Sequence, residues 1–151
     1  MTNHVAKATM LIRCPVAEAF DAFVNPKKIT QFWLDSTSGP LVYGAKVSWS
    51  FMVPGATETV TVTELQDQRR IGFDWSDGIQ VTIDFQEHGN GAVCVSAKAS
   101  GFSAEEAVVG ATEGFSIVLC DLKTLLEHGK SANLVRDKAA LIAASREQAK
   151  E

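Results

Sequence analysis

The stretch that decides the fold runs from Ser103 to Gly129, SAEEAVVGATEGFSIVLCDLKTLLEHG. At 100° per residue Ala107, Val108, Ala111, Phe115, Val118, Leu119, Leu122, Leu125 and Leu126 fall on one side, with Glu113, Ser116, Lys123 and Thr124 opposite. The pattern predicts an amphipathic helix of about seven turns, ~35–40 Å long and able to lie across a sheet. Ser103 and Glu106 have capping-box spacing at its start, and Gly129 is placed to stop it. Gly110 and Gly114 lie inside it, where each costs ~1 kcal/mol relative to alanine. Gly114 falls on the apolar side beside Ala111 and Phe115, and Gly110 at its margin. Charged residues throughout rule out a membrane dimerisation face. Close approach to a sheet, or room left for a ligand, remain as reasons for the glycines.

Such a helix needs a partner, and the preceding sequence supplies strands. Ile79, Val81, Ile83 and Phe85 alternate with Gln80, Thr82, Asp84 and Gln86, the mark of a sheet with one covered and one wet face. Further strands are expected at Val5–Cys14, Lys46–Val53, Glu58–Leu65, Arg70–Trp75 and Ala92–Ser100. Pro54-Gly55, Asp67-Gln68, Asp77-Gly78 and His88–Gly91 are short turn-forming links, so the pairing is antiparallel. Two short helices follow the first strand: one in VAEAFDAFVN after Pro15, and one over Lys27–Trp33 after Asn25-Pro26. After Gly129, LVRDKAALIAASREQ predicts a further helix with Leu134, Leu141 and Ile142 on its apolar side. The expectation is α+β, one domain over residues 1–151, with its core in 5–129 and a helical extension in 130–151.

Length and charge exclude several functions. A chain of 151 residues with 46% hydrophobic content supports one sizeable core. A net charge of −4 without a basic cluster argues against nucleic acid as a partner. No apolar run approaches the ~20 residues of a membrane span, and the amino terminus lacks a secretory pattern. Cys14, Cys94 and Cys120 are odd in number and widely spaced, as expected of buried thiols in a reduced, cytoplasmic protein. His4, His88 and His128 have no ligand-spaced partner, so neither a metal nor another cofactor is expected.

Three ordered stretches carry a family resemblance: AEAFDAFVNPKKITQFW, VTELQDQRRIGFDW and EGFSIVLCDLKTLLEHG. Together they resemble the activator-of-heat-shock-ATPase homologue family of the START-like (SRPBCC, pollen-allergen-like) superfamily, over about residues 5–129. Phe115 stands where that family commonly has tryptophan, and Tyr43-Gly44-Ala45 where a double glycine is usual. The resemblance implies a helix-grip fold: a curved antiparallel sheet of about six strands around the long helix, with a cavity between them.

Trp33, Trp49, Phe51, Phe73, Trp75, Ile83, Phe85, Ala111, Gly114, Phe115, Val118 and Leu122 are the expected cavity lining, and Asp121 the expected polar group at its mouth. No G-x-S-x-G or Ser/Cys–His–carboxylate pattern is present, and Asp74 and Asp84 fall on the wet phase of their strands. The expected function is therefore binding of a small apolar or amphipathic molecule without catalysis. The alternatives are a chaperone-ATPase activator or stress-linked interaction module, with a chaperone as partner, and a cyclase- or hydrolase-type enzyme using Asp121. A monomer and a homodimer both fit.

Overall fold

The computed structural model describes residues 4–150, with side chains described through residue 148. Residues 1–3 and 151, part of the span assigned to the domain, lie outside the described residues. The elements are β1 (Val5–Ile12), α1 (Val16–Val24), α2 (Pro26–Phe32), β2 (Leu34–Thr37), β3 (Lys46–Phe51), β4 (Thr57–Gln66), β5 (Arg70–Trp75), β6 (Gln80–Glu87), β7 (Val93–Ser100), α3 (Glu105–His128) and α4 (Leu134–Lys150).

All seven strands form one antiparallel sheet in the order β1-β7-β6-β5-β4-β3-β2. The alternation on β6 places Val81, Ile83 and Phe85 inward, as the period of two requires. The sheet has one strand more than expected. β2 comes from LDST, which is polar and only four residues long, yet it adds to the edge by pairing with β3. A β-bulge on β4 between Val62 and Glu64 bends the sheet opposite β5. It sets Gly72 so close to Glu64 that a Cβ there would stand 3.0 Å from the Glu64 Cβ, a contact so tight that any larger residue would require Glu64 to shift.

α1 and α2 bridge the two edges of the sheet, since β1 and β2 occupy opposite ends of the strand order. Asn25 ends α1 and starts α2, its Oδ1 accepting from the Lys27 backbone N–H at 3.0 Å. α3, 24 residues long, packs chiefly on β1. This is the helix-grip arrangement. Gly129 terminates α3 in the left-handed region at φ 75°, its N–H returning to the Leu125 carbonyl at 2.8 Å. The start differs from the capping-box expectation: Ala104 is the N-cap and no side chain caps the helix.

The carboxyl-terminal half of α3 is clamped to β1. The Lys123 Nζ donates to the Leu11 carbonyl and to the Glu127 Oε2, both at 2.6 Å, while Glu127 Oε2 accepts the Arg13 backbone N–H at 2.8 Å. The Lys123 bond, then the Arg13 N–H, holds the Glu127 carboxyl below its ordinary value of 4.5. A depressed carboxylate stabilises the fold above its unfolded pKa, and that contribution is lost as pH falls through the lowered folded value. Glu127→Gln is therefore expected to lower Tm at pH 7, with the difference from wild type closing in thermal melts as pH falls below 4.5.

Candidate functional site

The aromatic residues of the interior are one connected set. Trp33, at the end of α2, lies 5.0 Å from Trp49 of β3, 6.0 Å from Phe23 of α1, 6.5 Å from Phe73 of β5 and 6.0 Å from Phe115 of α3, measured between ring centroids. Beyond Phe115 the set continues outward: Trp75 stacks on Phe115 with 5° between ring planes, and Phe51 meets Trp75 edge-on at 6.3 Å. Phe20 and Phe85 continue it inward, where Phe85 touches Phe23.

At the outer end of this set is a cleft of about 290 Å³, near the lower end of the ~300–1,000 Å³ usual for small-molecule sites. Trp33, Phe51 and Trp75 form one wall, extended by the β3–β4 turn through Met52, Val53 and Ala56. Ala111, Gly114, Phe115, Ile117 and Val118 of α3 form a second. The third comes from α4 through Val135, Lys138, Ala139 and Ile142. Lys138 is the only charged side chain among them.

Seven of the residues expected from the sequence meet here: Trp33, Phe51, Trp75, Ala111, Gly114, Phe115 and Val118. Trp49, Phe73, Ile83, Phe85 and Leu122 lie elsewhere, buried in the solid core. Gly114 differs from its wheel position, for it is exposed and a Cβ built on it would meet nothing within 4 Å. Gly110 is equally open, and Ala107 is exposed too. Every fully buried residue of α3 lies at or beyond Phe115, while Val108 and Ala111 of its first turns are only partly buried against the core. Close approach to the sheet does not explain either glycine. At Gly114 the missing side chain is open cleft.

Asp121 does not stand at the mouth. It is 0% exposed, accepting the Ser131 hydroxyl on Oδ1 at 2.6 Å and the Val135 backbone N–H on Oδ2 at 3.2 Å. It thus caps the first turn of α4 from another helix, where the positive end of the helix dipole favours a carboxylate. The helical extension is thereby turned back over the cleft. Its inward face is Val135, Lys138, Ala139 and Ile142, not the expected Leu134 and Leu141; Leu141 is 67% exposed. The i, i+3, i+4, i+7 spacing of those four was the available signal. Across the rim the Lys138 Nζ meets the Glu113 Oε1 at 2.5 Å, and Arg136 reaches Asp35 at 3.8 Å.

Little here resembles a catalytic apparatus. Cys14 is buried, and burial, aided by the nearby charges of Glu18 and Glu127, pushes its thiol up to about 11, which keeps it protonated. Asp84 is tied to Arg70, whose Nε stands 2.6 Å from its Oδ1. Among the described residues no three of His, Cys, Asp and Glu converge as metal ligands, and no helix is long and apolar enough to cross a membrane.

The family described as Activator of Hsp90 ATPase homolog 1-like protein matches residues 13–127. Among solved structures, protein SSP2350 from Staphylococcus saprophyticus is similar at 28% identity and a TM-score of 0.76, over 84% of this chain and 94% of that one. The Aha1 protein of Colwellia psychrerythraea, solved as a dimer, has a TM-score of 0.77 at 18% identity over 87% of this chain and 100% of that one. The AHSA1-like protein of Aeromonas hydrophila has a TM-score of 0.63 at 18% identity over 82% and 93%. No curated protein matches the chain.

Asp121→Ala is expected to leave the Val135 N–H and the Ser131 hydroxyl without their partner at a cost of about 1–3 kcal/mol. Denaturant unfolding reads the loss, and hydrogen exchange should accelerate across residues 131–142 more than in α3.

Proposed function

The chain belongs to the Activator of Hsp90 ATPase homolog 1-like protein family, and from that premise we propose that it binds a small apolar or amphipathic molecule in the cleft between the sheet, α3 and α4. The observation that carries this reading is Gly114. A residue that costs ~1 kcal/mol in a helix interior sits where it relieves no steric conflict, and the space it leaves is walled by Trp33, Trp75 and Phe115. Stability alone gives no reason to keep it; an occupied cleft does.

Binding without conversion of the ligand is the reading the lining supports. Of the cleft side chains only Lys138 exchanges protons, and its ammonium is paired with Glu113. No carboxylate, imidazole or thiol lines the space to act as base or nucleophile.

Gly114→Leu separates function from stability. Filling the open space is expected to weaken binding of the uncharged dye N-phenyl-1-naphthylamine by at least about ten-fold, read by fluorescence. The same change should raise Tm by roughly 2–4 °C, because leucine is the better helix former. A variant that binds the dye as well as wild type would remove the cleft from the account.

A further inference from the structure

We propose that the ligand of this cleft is an aromatic or other apolar molecule bearing a carboxylate, and that its carboxylate binds the Lys138 ammonium at the rim. The inference deepens the reading of the cleft as a binding site and rests on it.

The hydrogen-bonding groups on the lining side chains have one polarity. Apart from the weak thioether of Met52 they are the indole N–H groups of Trp33 and Trp75 and the ammonium of Lys138, all donors. Among the described residues the Trp75 Nε1–H is itself buried with no hydrogen-bond partner, a state that costs about 1–3 kcal/mol. A cationic or donor-only head would find no side-chain partner inside.

Lys138 is placed to receive an anion. Its stem contributes to the apolar wall while its charged end reaches the rim, so one ligand can bury its rings and keep its charge near water. Glu113 now holds that ammonium, but it is half-exposed and does not line the cleft. An exposed pair of this kind contributes only ~0–1 kcal/mol, so an incoming carboxylate exchanges with Glu113 at little cost. In return it gains a charge-assisted hydrogen bond beside apolar walls, where screening is weaker.

The test uses the full chain and three probes sharing one ring system: 2-naphthoate, 2-naphthalenemethanol and 2-naphthylmethylammonium, titrated by calorimetry at pH 7. Naphthoate is expected to bind about ten-fold tighter than the other two. Lys138→Met should remove the difference in affinity between naphthoate and the alcohol, whereas Glu113→Gln should tighten naphthoate several-fold. If Lys138→Met does not fold, added salt on wild type should weaken naphthoate and not the neutral alcohol. Equal affinity for all three probes, or a preference that survives Lys138→Met, overturns the carboxylate assignment and leaves the cleft as a binding site. Failure of all three to bind overturns both.

Discussion

The ring of Trp33 is the contact on which the rest of the molecule depends. It sits at the junction of α2 and β2, 5% exposed, and touches aromatic rings from α1, β3, β5 and α3. A ring of this size buries ~150–250 Å², and each well-oriented aromatic pair adds ~0.5–1.5 kcal/mol beyond area. One side chain therefore joins the connection at one end of the sheet to its middle strands and to the long helix. Its position also fixes where the core stops: inward of Trp33 the rings pack solidly, and outward of it Trp75, Phe115 and Phe51 enclose space.

That space lies where Ala111, Gly114 and Phe115 of α3 face Trp33, Phe51 and Trp75. The carboxyl-terminal half of α3 is held to β1 by Lys123 and Glu127, while its amino-terminal turns leave Ala107, Gly110 and Gly114 exposed. α4 then closes one side, fastened by a carboxylate buried in α3 and by ion pairs at the rim. The cleft is thus bounded by an aromatic wall and by a helix held through both apolar contacts, at Val135 and Ala139, and polar ones.

Much of this was legible in the sequence, and the failures have physical causes. The β6 alternation and the apolar side of α3 could be read because periodicity records which way a side chain points. A helical wheel records direction but not distance, so it put Gly114 on the inward side without revealing that nothing lies opposite. The four-residue β2 was missed because an edge strand can be held by backbone pairing, which leaves little trace in side-chain pattern. In α4 the expected apolar side of Leu134, Leu141 and Ile142 holds at Ile142 alone, which lines the cleft with Val135. Asp121 settles that side by capping at Val135, and that bond between residues 14 apart depends on the path of the intervening turn. For the same reason the sequence places Asp121 at the cavity mouth when it is a buried fastener.

Three tryptophans report on the central claim from three depths: Trp75 and Trp33 line the cleft, and Trp49 lies in the closed core. Their indole N–H resonances can be followed in a two-dimensional NMR spectrum as an apolar probe such as 2-naphthoate is added. A ligand in the cleft must move the Trp75 signal most and the Trp49 signal least, with saturation at one equivalent. Indole signals that stay fixed, or that move most at Trp49, would contradict the account.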